Sequence, residues 1–280
     1  MASNRLFSIG AAGLVTAAAG AGALAGAPTE PSVPSDFHDR TVLQAEFEPM
    51  LWFAAMLGEI TFKGGSTFDV DQINLDEVHL APAGRFTLRS RRWTFDFTAF
   101  GTSFDDEARA QQDIDAGGFQ VSEGDEVKYD LSYASFKGTA GWSFDPFVTD
   151  DTGDTAVWAG VYAGAHVYHL NFEFGTADGA DSLEESDTWI EPLVGARLTI
   201  DLPHGFEIGV TADVGATLGP GTGFAWEIMP TFRWFPMDNK TVAAEIGFRH
   251  VQADLSTGSD DDFAFDTATA GLFASVVIRF

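Results

Sequence analysis

From Phe206 to Leu218 the chain alternates strictly. Phe206, Ile208, Val210, Ala212, Val214, Ala216 and Leu218 are apolar, and Glu207, Gly209, Thr211, Asp213, Gly215 and Thr217 between them are polar or glycine. Period two places one class on each face of a strand. The preceding segment repeats the pattern. Ile190, Pro192, Val194, Ala196, Leu198 and Ile200 share one parity, and Glu191, Gly195, Arg197, Thr199 and Asp201 share the other, interrupted only by Leu193. Leu202-Pro203-His204-Gly205 between them reads as a tight turn. The pair is predicted to be a β-hairpin with one greasy face and one charged face.

Comparable runs at 43–63, 77–89, 92–104, 126–144, 156–174, 188–201, 205–218, 223–235, 241–255 and 263–280 predict about ten antiparallel strands. Many reach the 9–11 residues that a tilted transmembrane strand needs. In the first run Gln44, Glu46 and Glu48 share one parity while Glu59, Thr61 and Lys63 share the other, which predicts a bulge between Pro49 and Gly58. The connections alternate in length. Long gaps at 64–76, 105–125, 175–187 and 256–262 fall at one end, and the Ser90-Arg91 turn, the Pro203-His204 turn and 236–240 at the other; 219–222 and 145–155 break the rule. Short periplasmic turns with longer external loops are the outer-membrane arrangement. The expected fold is all-β, an antiparallel up-and-down transmembrane β-barrel.

The polar face carries Glu, Asp and Arg on most strands, and the apolar face is rich in aromatics. Trp93, Phe95 and Phe97; Phe224, Trp226, Phe232 and Trp234; and Trp158, Tyr162, Tyr168 and Phe172 are expected to form lipid-facing girdles. A small soluble barrel would turn its apolar face inward, leaving a soluble secreted β-sandwich that binds carbohydrate as the alternative fold. Composition fits strands and tight turns: among 280 residues there are 30 Gly, 26 Phe and 7 Trp. The absence of cysteine excludes disulfides, thiolate metal sites and Cys nucleophiles. A net charge of -27 argues against a nucleic-acid partner, which needs clustered Lys and Arg.

At the N-terminus Arg5, the uncharged stretch Leu6 to Leu24 and Ala23-Leu24-Ala25 have the layout of a cleaved signal peptide, residues 1–25. Residues 26–42, rich in Pro, Ser, Thr and charge, read as a flexible lead-in, and 43–280 as a single barrel domain.

The final run, Gly271-Leu272-Phe273-Ala274-Ser275-Val276-Val277-Ile278-Arg279-Phe280, has a glycine, then alternate hydrophobic residues, then a terminal aromatic. It resembles the C-terminal signal of bacterial outer-membrane β-barrel proteins, and the whole layout is similar to small barrels of the OmpA and OmpW kind. The resemblance implies insertion into the outer membrane, with Gly271, Val276, Ile278 and Phe280 as an assembly signal read by the barrel-assembly machinery. It implies outer-membrane lipid as a partner and no cofactor.

By parity the inward set is Glu46, Glu48, His79, Arg85, Asp96, Asp130, His169, Glu173, Glu191, Arg197, Glu207, Asp213, Glu227, Arg233, Glu245 and Arg249. Glu191, Arg197, Glu207, Asp213, Glu227, Arg233, Glu245 and Arg249 form the expected lumen charge network. A ten-stranded lumen is only slightly wider than one that side chains fill, so these charges must pair. Paired, they make a structural or surface scaffold; left unpaired, a small porin-like, cation-favouring channel. No catalytic residue is assigned. His250 and Asp254 lie four apart on one strand, more than 12 Å at about 3.3 Å per residue. The Gly219 to Gly221 pair is not followed by a phosphate-binding helix. A barrel-borne hydrolase at the external rim would need a His and a carboxylate on neighbouring strands. The acidic external segments, with Asp105, Asp106, Glu107, Asp113, Asp115, Glu123, Asp125 and Glu126, Asp178 to Asp187, and Asp260-Asp261-Asp262, suit either Ca²⁺ or Mg²⁺ or plain solvation in salt. They lack EF-hand spacing.

Overall fold

The computed structural model describes residues 43–280 except 66, 74, 116–119, 149–154, 178–181, 219–222, 238 and 259–262. The expected signal peptide and lead-in, Gly219 to Gly221, Asp178, Asp181 and Asp260 to Asp262 lie outside the described residues. The long strands are β1 (Gln44–Thr61), β2 (His79–Ser90), β3 (Trp93–Arg109), β4 (Glu126–Ser143), β5 (Ala156–Thr176), β6 (Ser182–Leu202), β7 (Phe206–Ala216), β8 (Gly223–Trp234), β9 (Val242–Ser256) and β10 (Ala264–Arg279). Each pairs antiparallel with its chain neighbours, and β10 pairs with β1, so the sheet closes and leaves no edge between the ten. The chain end seals this seam, with the Phe280 amide donating to the Ala45 carbonyl at 2.9 Å.

Cross-strand partners followed from Glu46 through Thr87, Asp96, Thr139, Gly164, Leu193, Gly215, Ala225, Ala253 and Thr267 return to β1 at Gly58, twelve residues along. That stagger tilts the strands by roughly 40°. Two glycines make close approaches possible. Gly205 ends the β6–β7 turn at φ 76, where a side chain would be strained and a Cβ would meet the Phe235 carbonyl at 2.5 Å. At the β10–β1 seam, a Cβ on Gly271 would lie 1.8 Å from the Phe53 carbonyl oxygen.

The expected bulge in β1 is absent. Its register to β10 runs from Glu46–Arg279 to Thr61–Ala264 and to β2 from Gln44–Arg89 to Ala54–His79 without a slip. What changes along β1 is the chemistry of each face. Its inward parity reads Gln44, Glu46 and Glu48 near the short-turn end, then Trp52, Met56 and Ile60, all buried; its outward parity reads Leu51, Phe53 and Leu57, then Glu59, all exposed. Other strands exchange their faces in the same way. On β4 the inward row runs from Thr139, Lys137 and Ser135 to Tyr133, Leu131, Tyr129 and Val127, while the outward row runs from Trp142 and Phe136 to Asp130, Lys128 and Glu126.

The barrel therefore has two zones. Toward the short turns the exterior is apolar and the interior charged. The outward residues Ile190 to Ile200 of β6, at about 3.3 Å per residue and roughly 40° tilt, span a band about 25 Å tall. Toward the long connections the interior is apolar. Phe62 stacks with Phe68 and Phe172 at ring separations of 5.4 and 5.6 Å and meets Phe174 at a tilt at 5.4 Å. Tyr133 packs on Phe100, Tyr168 and Phe265. Residues 67–69 pair with the end of β1, and Phe68, Val70 and Leu75 beside them are buried in this core.

This exchange corrects part of the expected facing. Tyr162, Tyr168 and Phe172 point into the lumen rather than to a lipid girdle, and Trp158 shares their inward parity and donates to Asp201, whereas Trp93, Phe95, Phe97, Phe224, Trp226, Phe232 and Trp234 are exposed as expected. Asp130 and Glu173 are exposed on the outside, and His169 shares their outward parity on β5, because above the exchange the polar parity is the outer one. The strands also run further than expected. Asp105 and Glu107 lie on β3 and Glu184, Glu185 and Asp187 on β6 rather than in loops.

The aromatic core should hold the long-connection half together. Phe172→Ala is expected to lower unfolding stability by about 3–5 kcal/mol, read as a shifted urea midpoint of the refolded barrel. Val167→Ala, on the outer face, should cost under about 1.5 kcal/mol.

Candidate functional site

The charged interior is built by strands that each contribute one or two inward residues near the short-turn end. Arg233 on β8 is its hub. Its guanidinium reaches Glu46 at 3.0 Å, Glu207 at 3.1 Å and Glu48 at 3.3 Å, and also bonds Glu245. Arg85 grips Glu48 through two parallel 2.7 Å bonds, Nε to Oε2 and Nη2 to Oε1, the strongest arrangement open to such a pair. Arg279 joins Glu46 at 3.0 Å and Glu207 at 3.3 Å, with its guanidinium 4.0 Å from the Phe235 ring centroid. Ser275 donates to Glu48 and Glu245, at 3.4 and 3.3 Å. These residues come from β1, β2, β7, β8, β9 and β10, so the bonds cross the lumen as well as following the sheet.

Two further groups complete the layer. Asp96 on β3 pairs with Arg197 on β6 and accepts from Thr87 at 2.7 Å, and Arg197 lies over the Tyr162 ring. Deeper, Lys137 on β4 bridges Asp213 at 3.0 Å and Glu227 at 2.9 Å. Tyr162 donates to Asp213 at 2.9 Å, and Arg249 pairs with Glu227 at 3.0 Å. Arg249 also sits 4.9 Å from the Trp52 ring and 4.7 Å from the Phe100 ring, which joins the charged layer to the aromatic core above it.

All eight residues of the expected network, Glu191, Arg197, Glu207, Asp213, Glu227, Arg233, Glu245 and Arg249, line the lumen, as do Glu46, Glu48, Arg85 and Asp96. They do not form one set. Glu207, Arg233 and Glu245 share the hub, Arg197 bonds Asp96 across the lumen, and Asp213, Glu227 and Arg249 meet through Lys137. Glu191 is buried, its Oε2 without a hydrogen-bond partner and its carboxylate lying over Gly215. The inward set read from the sequence lacked Lys137, His166, Arg89 and Arg279. Lys137 and His166 sit on strands whose faces exchange chemistry partway, so their parity could be read only after the exchange was recognised.

The space left among these groups is a cavity of about 70 Å³, lined among others by Arg85, Arg89, Thr139, Arg197, Glu207 and Thr231. That holds only a few waters. His166 bonds Ser135 deep in the lumen, and His169 bonds Thr188 on the outer surface at 2.9 Å; neither histidine bonds a carboxylate.

Outside, carboxylates face one another directly across strands. Asp105, Asp130, Glu173 and Glu184 follow one another from β3 to β6. Asp254, Asp266, Glu59 and Asp69 do so from β9 across β10 and β1 to the 67–69 strand. Like charges placed opposite one another repel, so these rows need water and counter-ions. In the β3–β4 connection Asp113 accepts from the Glu123 amide and Asp125 from the Ser122 amide, both at 2.9 Å. Among the described residues no group of three or more His, Asp or Glu is placed to hold a metal ion.

Removing the hub's cation should leave several buried carboxylates uncompensated. Arg233→Met is expected to cost about 3–5 kcal/mol in a urea titration. Arg109→Met, which breaks an exposed pair with Glu126, should cost under about 1 kcal/mol.

No protein-family model matches the chain, and neither does any curated protein. Among solved structures, the outer membrane protease OmpT from Escherichia coli is similar at a TM-score of 0.45 and 9% identity, over 87% of this chain and 100% of that one. The toluene transporter TodX from Pseudomonas putida is similar at 0.29 and 9% identity, over 84% and 89%. Neither likeness bears on what this barrel does.

Proposed function

We propose that the chain is an outer-membrane barrel with a closed lumen, a structural scaffold that carries an acidic, strand-built extension outside the membrane and performs no covalent chemistry. Its apolar exterior, about 25 Å tall, matches the hydrocarbon layer that outer-membrane barrels cross. Leu51, Phe53, Val194, Ile246 and Leu272 are between 47% and 67% exposed on that exterior, a surface that water would not tolerate over such an area. Phe280, Ile278 and Val276 belong to the same outward row, which suits them to docking with the barrel-assembly machinery, with Gly271 allowing the seam to close.

The observation that carries the closed reading is double occlusion. Ion pairs cross the lumen at one level, and stacked aromatics fill it at the next. An ion entering from the short-turn end would have to displace paired charges and then cross an apolar core, each costly. The hydrolase alternative needs a His beside a carboxylate at the rim, whereas His169 on the outer surface bonds Thr188 and His166 bonds Ser135 inside the lumen. The carboxylate rows are suited to keeping the outer extension hydrated and soluble in saline surroundings.

Purified protein inserted in planar bilayers is expected to give no conductance steps at 1 M KCl, on the order of the salt used for small pores. Stable cation-selective steps would instead favour the porin-like reading.

A further inference from the structure

The outer apolar face is not uniform. Around β8, β9, β10 and β1 to β3 it presents Phe53, Phe97, Phe224, Phe232, Ile246 and Leu272. From β4 to β7, between larger residues such as Phe136, Ile190 and Ile208, it carries a patch of small side chains, and there it sinks into an open groove of about 710 Å³. Ala140, Ala163, Ala196 and Ala212 form the floor, with Val194 and Val214 toward one side. Trp142, Val161, Ala196 and Ala212 are consecutive cross-strand partners, so the floor is continuous across four strands. Trp93 and Trp142 close the groove toward the short turns, packed edge to face at 5.2 Å and both exposed.

Directly beyond these tryptophans is the β2–β3 turn with Arg91 and Arg92. In a chain with 15 Lys and Arg against 42 Asp and Glu, two adjacent exposed arginines at one rim are a local reversal of charge. Arg92 lies 5.7 Å from the Trp142 ring centroid and is held there by Asp145 at 2.6 Å. Arg91 has positive φ and makes no ion pair among the described residues. Tryptophan marks the level at which the hydrocarbon layer gives way to headgroups, so both guanidiniums stand at phosphate height over an acyl-sized trough.

We propose that this groove is a binding site for one anionic phospholipid of the periplasmic leaflet. An acyl chain lies on the alanine floor, and Arg91 and Arg92 take the phosphate. Charge complementarity selects the occupant. Guanidinium forks match phosphate oxygens, and a lipid with net negative charge gains at both arginines, where a zwitterionic one gains less. Asp145 competes for Arg92, which sets a ceiling on affinity that its removal would lift.

The proposal rests on the membrane reading above, and its test separates the two. The protein purified in detergent is titrated with phosphatidylglycerol or phosphatidylcholine, and bound lipid is counted by native mass spectrometry. One phosphatidylglycerol is expected to be retained well after phosphatidylcholine is lost. Arg91→Gln with Arg92→Gln should weaken retention about tenfold. Ala196→Phe, which fills the trough from the outside, should abolish it, and Asp145→Asn should strengthen it. Ala274→Phe, on the opposite outer face, should leave it unchanged. Equal retention of both lipids, or retention unaffected by the arginine and Ala196 substitutions, would overturn the lipid site while leaving the barrel in the membrane. Recovery of the chain in the soluble fraction without detergent would instead remove the membrane reading itself.

Discussion

A ten-stranded lumen has little room to hydrate the charges that its strands turn inward, so most of its buried ions pair with protein, although Glu191 keeps one carboxylate oxygen unpartnered. The fold follows this constraint closely. Arg233 gathers four carboxylates, Arg85 grips Glu48 with both arms of its fork, and Lys137 spans from β4 to acids on β7 and β8. Such pairs add little net stability over apolar packing of the same volume, yet each is costly to break singly. Their effect is to fix which strands face one another across the lumen. The same bonds close the space that a pore would need.

The second zone solves the same problem by the opposite means. Past the apolar band the outward parity turns acidic and the inward parity turns aromatic, and the strands continue as a barrel with an apolar core. Arg249, bonded to Glu227 and lying against Trp52 and Phe100, sits where the two solutions join. No change of register is needed, because the pleat stays constant while the surroundings change.

That exchange also explains what could be read from the sequence. The β6–β7 hairpin was legible from Ile190 to Ala216 because its alternating residues there lie within the apolar band, where one rule of facing holds, while the first residues of β6 beyond that band were read as a loop. Most strands, the closure and the two-ended pattern of connections followed from the same rule. β1, β4 and β5 cross both zones, so a single rule misassigned them. The acids at the end of β1 resembled a bulge, Asp130 and Glu173 resembled lumen residues, and Tyr168 and Phe172 resembled a girdle. Glu191 and Arg249 could be placed in the lumen by parity. So could Glu227, the partner of Arg249, but Lys137, which bridges Asp213 and Glu227, could not, since it lies on a strand with mixed faces and pairing across a lumen leaves no trace in spacing.

The chain has no cysteine, so single cysteines report position without background. The most direct test of the face exchange places one at Val194, one at Glu173 and one at Phe172 in separate proteins reconstituted into lipid vesicles. The account predicts that a fluorophore on residue 194 is quenched by quenchers carried in the acyl chains, that residue 173 reacts with a membrane-impermeant thiol reagent, and that residue 172 remains protected from that reagent. Rapid aqueous labelling at residue 194 together with protection at 173 would contradict it.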